Sequence, residues 1–499
     1  MSALASGING VLAIDPSAAA IEFEHRWISW GEIAAAKNAI EAKLAHLPPY
    51  TRVGVMMRNR PETIAPVLAC VASGYTLVTI NPVYPDDRLI EDIETVDAPV
   101  LIGARTDWER PGLDEAARRV GALCIEIERD LSVRVRQESA RAAGTFARAT
   151  APGVGIEMLT SGTTGKPKRI PMRASSFERA VLAALNFESG RKEGDAPVLR
   201  SGVQMLTGPV SHIGGLLAFL NAILSGRRGC LLERFTVESF HDAVKRHRPK
   251  VAGAPPAALR MLLDANIPPE DLSSLQAFRT GTAPLDPDLA EAFYARFGVP
   301  VLQNYGATEF GGVAGWTIAD FKAHWTHKRG AVGRVNPGIQ ARAVDSDSGK
   351  ALAPGEQGVL ELKGKQIGDG ENWVRTTDIA IVDADNFLFI KGREDNAIIR
   401  GGFKVHPDDI IAALQEHDAI REAAVVGLPD ARLGHVPAAA FVLRAGAAAP
   451  NNDELSAFLR ARLAPYQVPS RYLRLDELPR TSSMKVSQPD LRALFNAQS

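Results

Sequence analysis

Cysteine is scarce in this chain. Cys70, Cys124 and Cys230 are scattered over 499 positions, and no Cys-x-x-Cys pair occurs. That pattern excludes a disulfide framework and a zinc site built on cysteine, and it suits a reducing compartment, the cytoplasm. An excess of charge of either sign is also missing: 57 basic residues face 58 acidic ones. Nucleic-acid binding in bulk requires a basic surface, so no nucleic-acid partner is expected. Forty-three glycines and 32 prolines are too few for a collagen-like or low-complexity chain. The amino terminus lacks a basic stretch followed by an apolar run, so no signal peptide is read there. Two stretches, 63–84 and 202–226, contain no Asp, Glu, Lys or Arg. The first is broken by Pro66, Gly74 and Pro82, the second by Gln204, Pro209, His212 and Asn221. Both read as buried core rather than membrane spans, and no membrane partner is expected.

What is present is ordinary globular composition, 45% hydrophobic and 23% charged. The length calls for two to four domains. Strand-like runs at 52–57, 76–80, 99–103 and 251–253 alternate with helical patterns at 34–45, 61–72, 240–248 and 256–263. That alternation indicates βαβ units and a mainly parallel sheet. After about residue 330, glycine and proline become frequent and the apolar runs, 359–362 and 387–390, become short. An antiparallel or β-barrel-like subdomain is expected there. From about residue 395 a new pattern begins: helix 408–416, strands 423–426 and 438–443, helix 453–463. The expected fold is therefore α/β. A large N-terminal domain of mixed α/β sheets plus a β-barrel-like subdomain occupies 1–393, and a small α+β C-terminal domain occupies 394–499.

The segment Leu159-Thr160-Ser161-Gly162-Thr163-Thr164-Gly165-Lys166-Pro167-Lys168 concentrates hydroxyls, glycines and lysines. Glycines let backbone N–H groups turn inward, hydroxyls add donors and lysines add charge, which together cradle phosphates. The spacing is not that of a Walker A loop, because only Thr163 and Thr164 separate Gly162 from Gly165-Lys166. Pro167 also blocks the helix that follows a Walker lysine.

This loop resembles the phosphate loop of the adenylate-forming superfamily of acyl-CoA synthetases, peptide-synthetase adenylation domains and luciferases. Further segments match in the family's order. Pro209-Val210-Ser211-His212-Ile213-Gly214-Gly215 is similar to the stretch whose histidine borders the acyl pocket. Thr280-Gly281-Thr282-Ala283-Pro284-Leu285 sits where the family has a small-residue turn beside adenine. Asn304-Tyr305-Gly306-Ala307-Thr308-Glu309 resembles the central motif, and Arg375-Thr376-Thr377-Asp378 the ribose motif. Gly392-Arg393-Glu394-Asp395 looks like the hinge, with Gly401-Gly402-Phe403-Lys404-Val405 after it. Pro479-Arg480-Thr481-Ser482-Ser483-Met484-Lys485 resembles the C-terminal lysine motif. The resemblance runs from about Trp30 to Lys485.

The resemblance implies an ATP-dependent carboxylate–CoA ligase using ATP, Mg²⁺ and coenzyme A, with an aryl or short-to-medium acyl carboxylate as substrate, acting as a monomer or homodimer. Joining a carboxylate to the α-phosphate of ATP brings two anions together, so catalysis requires positive charge and donors at that point. Lys485 is the expected source of that charge, with Thr308 donating to the phosphate and His212 bordering the acyl group. Glu309 is the expected Mg²⁺ ligand, since hard cations take oxygen. Nucleotide binding is assigned to Thr160, Ser161, Gly162, Thr163, Thr164, Gly165, Lys166, Thr282, Ala283, Pro284, Asn304, Tyr305, Gly306, Asp378, Arg393 and Gly402. His212, Ile213, Gly214, Thr280 and Gly281 are expected to line the substrate pocket, with Trp316 nearby. No basic residue in these pocket segments demands a second carboxylate on the substrate. Asp395 is the expected hinge, about which a mobile C-terminal domain would exchange Lys485 for the Gly402 strand. Two positions depart from the family's usual glycine: Thr377 before the ribose aspartate and Met484 before the final lysine. Transfer to a separate carrier protein, and nucleotide binding without catalysis, are the alternative readings.

Overall fold

The computed structural model of the chain describes residues 2–498 except 142–144, 147, 161–167, 192–193, 308–309, 402 and 482–483. The described residues form two compact units. One comprises 2–160, 168–329 and 364–372, and the other 330–363 and 373–498.

The first unit holds a seven-stranded sheet in the order Val133–Gln137, Leu123–Ile127, Val100–Ala104, Arg52–Met56, Thr76–Ile80, Val154–Thr160, Lys168–Arg173. The five inner strands are parallel and the two outer ones antiparallel to their neighbours. Parallel strands are covered on both faces, which is why these runs are continuously apolar rather than alternating. One apolar cluster contains Val53, Val55, Leu77 and Ile156, and another contains Met56, Val78, Ile80 and Leu101. The two uncharged stretches are explained by the first cluster. Helices Ile64–Ser73 and Ile213–Leu224 bury Ile64, Val67, Leu68, Leu216, Phe219 and Leu220 within it. Among the described residues no helix is long and apolar enough to cross a membrane.

Arg52 and Glu157, each 1% exposed in the side chain, pair at 2.7 Å across this sheet. Arg52 also donates to the Val96 carbonyl at 2.6 Å, and Arg148 reaches Glu157 at 2.7 Å. A buried pair satisfied this fully fixes geometry more than it adds stability. Here it fixes the strand that runs into the phosphate-loop segment.

A four-stranded sheet follows the order Arg200–Leu206, Arg227–Leu231, Ala19–Phe23, Arg26–Ser29. A third set has Val251–Gly253, Ala277–Thr280 and Val301–Ala307 in parallel, then Gly311–Gly315 antiparallel.

The second unit carries antiparallel strands Gly333–Val335, Phe387–Arg393, Val374–Val382 and Gln357–Gly364, with Ile339–Val344 at the edge. Its C-terminal part is a sheet of Phe403–Val405, Ile398–Arg400, Gly434–Leu443 and Ile420–Asp430, with Arg471–Arg474 parallel to Gly434–Leu443. Helices Pro407–Gln415 and Asn452–Arg460 cover one face through Ile410, Leu414, Leu455 and Leu459. Helix Gln488–Ala497 covers the other through Leu491 and Phe495.

Some element limits differ from the sequence reading. The helix read at 34–45 begins at Trp30, because Ser29 and Glu32 form a reciprocal capping box, with bonds of 3.1 and 2.7 Å. The helix read at 61–72 opens as a 3₁₀ turn, Pro61–Thr63, before Ile64–Ser73. The strand read at 423–426 runs over Ile420–Asp430, because Gly434–Leu443 pairs with it to the tip of the hairpin. The closing helix Gln488–Ala497 was not anticipated.

Candidate active site

The described site residues fall into two groups, one in each unit. In the first unit, the strand Arg200–Leu206 runs into the loop that carries His212. Buried Asn59 holds this loop: its amide donates to the carbonyls of Gly208 at 2.9 Å and Leu232 at 3.1 Å, and accepts from the Val210 N–H at 2.8 Å. The Thr207 hydroxyl donates to the Gly253 carbonyl at the end of Val251–Gly253. Half-buried His212 caps the helix Ile213–Leu224 and donates its N–H to the Pro209 carbonyl at 3.0 Å. Ile213 is half-buried and Gly214 exposed. A Cβ on Gly214 would lie 3.6 Å from Thr282 Cγ2, so this helix start rests against the expected adenine turn.

That turn leaves the strand Ala277–Thr280. Gly281 is obligatory: a Cβ there would stand 2.1 Å from Asn304 Oδ1. Thr282 adopts φ 68°, a left-handed conformation that a β-branched residue takes only when its surroundings impose it. Ala283 is half-buried and Pro284 exposed. Asn304 and Gly306 are exposed on the adjoining strand, where Asn304 pairs with Gly315 and Gly306 with Gly312. Tyr305 is half-buried, with its ring 6.2 Å from Phe310.

Thr280 closes the strand Ala277–Thr280. It is 3% exposed and shares a face with Phe278, whose ring packs against Phe240 and Phe293. Side chains alternate along a strand, so Arg279 faces away from Phe278 and Thr280. Trp316 is likewise core, 2% exposed and edge-on to Trp325 at 5.4 Å. Thr160 ends the strand Val154–Thr160 opposite Lys168. Ser161, Gly162, Thr163, Thr164, Gly165, Lys166, Thr308, Glu309 and Gly402 lie outside the described residues, and with Glu309 the expected Mg²⁺ ligand.

In the second unit, Asp378 and Arg393 are register partners on neighbouring strands. The guanidinium Nε stands 3.9 Å from an Asp378 oxygen. Arg393 also grips Asp395 with two bonds, 2.8 and 2.7 Å, and donates to the Thr377 hydroxyl at 2.7 Å. Asp395 itself lies in the 3₁₀ turn Glu394–Asn396. Thr377 is not among the positive-φ residues, so the missing glycine costs nothing in backbone strain there.

Lys485 lies on a tight loop closed by the Thr481 N–H donating to the Lys485 carbonyl at 2.8 Å. Arg480 braces this loop, donating to the Met484 carbonyl at 3.0 Å and pairing with Glu422 at 2.7 Å. Burial, then the charge of Arg393, hold the Lys485 ammonium below the ordinary lysine value. Met484 takes φ 62°, the left-handed region that the family's glycine occupies freely. Gly392, at φ 141°, lies against Asp408: a Cβ would be 2.7 Å from its Oδ2. Burial and the nearby carboxylates Asp409 and Asp378 push the Asp408 carboxyl up, while His406 opposes them.

The sequence reading did not single out Asp408, which is brought to Gly392 only by folding. Chemically, the second unit offers a carboxylate suited to paired sugar hydroxyls, a guanidinium fork beside it, and an ammonium whose cost is relieved by an anion.

Residues 12–370 match the AMP-binding enzyme family, and residues 410–485 its AMP-binding enzyme C-terminal domain. A 2-succinylbenzoate–CoA ligase of Bacillus velezensis is 28% identical over 96% of each chain. A long-chain-fatty-acid–CoA ligase of Bacillus subtilis is 28% identical over 94% of this chain and 90% of that one. The ATP-bound crystal structure of MatB from Rhodopseudomonas palustris is similar, with TM-score 0.81 and 25% identity over 99% of each chain.

Proposed function

The chain belongs to the AMP-binding enzyme family, and from that premise we propose that it is an AMP-forming carboxylate–CoA ligase. A carboxylate attacks the α-phosphate of ATP, pyrophosphate leaves, and the acyl-adenylate passes its acyl group to the thiol of coenzyme A with release of AMP.

The observation that carries this reading is the gathering of Lys485, Arg393 and Asp378 in one unit, although Lys485 is remote from the other two in sequence. Asp378 accepts from the ribose hydroxyls and Arg393 orients it. Lys485 neutralises the charge that develops as carboxylate and α-phosphate approach. Two CoA ligases among the similar chains favour the thiol of coenzyme A as acceptor. We take the functional boundary at residues 393/394, with Asp395 as the hinge that lets Lys485 withdraw before the thiol enters. Three free, buried cysteines accord with a cytoplasmic location.

The test is pyrophosphate release and acyl-CoA formation over a panel of carboxylates, for wild type and Lys485→Ala. Adenylation is expected to fall by roughly a hundredfold or more in the variant, as when one stabilising group is removed from a developing charge. Full adenylation by Lys485→Ala would overturn the role of this lysine. Acyl transfer to a carrier protein but not to coenzyme A would replace the acceptor.

A further inference from the structure

Beside the four-stranded sheet, three side chains able to ligate a metal meet from three separate elements. Glu22 lies on the strand Ala19–Phe23 and Cys230 on the parallel strand Arg227–Leu231, where the two are register partners and so point to the same face. His247 ends the helix Val237–His247. A Glu22 carboxylate oxygen, Cys230 Sγ and a His247 ring nitrogen all lie within 4.8 Å of one another. Glu22 is 1% exposed and Cys230 3%, and the His247 side chain is 11% exposed. Glu22 Oε2 stands against His247 Nε2 but makes no aligned hydrogen bond there. Arg246 donates to the other carboxylate oxygen, Oε1, at 2.5 Å. It also bonds Asp242 at 2.8 Å, meets His247 Nε2 at 3.0 Å and reaches the Cys230 sulfur. Trp27 lies edge-on to the His247 ring at 5.7 Å.

We propose that Glu22, Cys230 and His247 bind one Zn²⁺ ion as a structural site, with water as the fourth ligand. One sulfur, one nitrogen and one oxygen suit zinc, whereas magnesium takes oxygen alone. With bonds of about 2.0–2.3 Å, the donors of a tetrahedral site stand roughly 3–4 Å apart, so small side-chain rotations close the present spacing. The ion takes the place of the unaligned contact between Glu22 Oε2 and His247. Arg246 stays on Oε1 as the outer partner that orients a ligating carboxylate. Charge also balances. Glu22, Asp242 and Arg246 sum to one negative charge, and a divalent ion that displaces the Cys230 thiol proton brings the sum to zero. Arg246, Asp242 and His241 line an open hollow of about 460 Å³, which gives ion and water a way in. The bound ion pins the end of the helix Val237–His247 to two strands of the sheet. One of them, Arg227–Leu231, pairs with Arg200–Leu206, which runs into the His212 loop. The cysteine spacing excludes a site built on cysteine pairs; a site with one cysteine, and ligands at positions 22, 230 and 247, has no local spacing to read.

The experiment uses the untagged full chain, stripped with a chelator and then titrated with Zn²⁺ or Co²⁺. Wild type is expected to retain one Zn²⁺ per chain after desalting, read by elemental mass spectrometry, and to melt at a higher temperature with Zn²⁺ than without. The Co²⁺ form is expected to show the thiolate-to-metal charge-transfer band in the near ultraviolet. That band should survive in the double variant Cys70→Ala/Cys124→Ala and vanish in Cys230→Ser. Cys230→Ser and His247→Gln should each weaken Zn²⁺ binding by roughly tenfold to a hundredfold or more, since even outer partners of a metal are worth that much. Absence of the thiolate band in wild type, or its persistence in Cys230→Ser, would overturn the proposal. So would equal Zn²⁺ affinity in wild type and both ligand variants, which would mark the ion as adventitious and the trio as an ion pair only. If the ligand variants do not fold, the Co²⁺ spectra of wild type and of Cys70→Ala/Cys124→Ala decide it, because Cys230 is then the one thiol left.

Discussion

Arg393 stands close enough to Lys485 for its guanidinium to add to burial in depressing the lysine ammonium. Two like charges held together are unfavourable until an anion comes between them. The same pair is therefore a cost in the free protein, and in the proposed adenylation it becomes a stabilising clamp on the phosphate–carboxylate transition state.

This pair fixes the pH behaviour. In the proposed role of Lys485 its protonated form is the one that acts, so the alkaline limb of adenylation is expected below the pH of an ordinary lysine. Arg393→Gln removes the repulsion and should move that limb upward, whatever it does to the rate; a limb that stays in place would show that burial alone acts. For stability the sign is opposite to that of a lysine gaining a partner. The folded-state value is lowered, so the charged side chain costs its full amount of stability below it, and the cost fades as pH rises from that value to the ordinary lysine value. Lys485→Met should raise the melting temperature at neutral pH, by a margin that shrinks in alkaline buffer.

Met484 carries left-handed strain next to the key lysine. Met484→Gly removes a backbone cost of about 1–2 kcal/mol, partly offset by glycine's greater freedom when unfolded. A net gain of up to about 1 kcal/mol is expected in denaturant titrations. Met484→Ala keeps the Cβ and should gain nothing; equal gains in both variants would locate the strain elsewhere.

Gly281 leaves no room for a methyl group beside Asn304 Oδ1. Gly281→Ala is expected to weaken ATP binding by roughly tenfold or more, because the turn must shift. Adding Asn304→Gly opens the space, so the double variant should bind ATP better than Gly281→Ala alone. Calorimetry on the three proteins gives the coupling directly.

Asp408 is held protonated more readily than a free aspartate. Its folded-state value is raised, so stability falls as pH climbs from about 4 through the raised value. Asp408→Asn should therefore stabilise the protein at neutral pH and lose its advantage near pH 4. Identical melting profiles across that range would contradict the assignment.

Asp395 binds Arg393 through both carboxylate oxygens while lying in the proposed hinge. Asp395→Pro restricts the backbone and removes the grip. Thioester formation is expected to fall further than pyrophosphate release, measured separately on the same preparation. Equal losses would argue against a hinge at this residue.

Much of the fold was legible because its signals are local. The apolar runs at 52–57 and 76–80 and the uncharged stretches each report on neighbouring residues, and the structure makes them buried strands and helices. Limits were less legible where a hydrogen bond outside the apolar pattern sets them, as with Ser29 and Glu32. The closing helix Gln488–Ala497 escaped notice because its apolar residues, Leu491 and Phe495, are few and acquire meaning only against the sheet they cover.

The sequence by itself determined the family, the order of its motifs and the residue types available for the chemistry, since these depend on spacing along the chain. Tertiary structure decided which groups share an electrostatic environment. Lys485 feels Arg393, and Asp408 feels Asp378, although each pair is far apart in sequence. Charge coupling and burial depend on distance through space, and the alternating sides of a strand acquire an inside and an outside only when something packs against one of them.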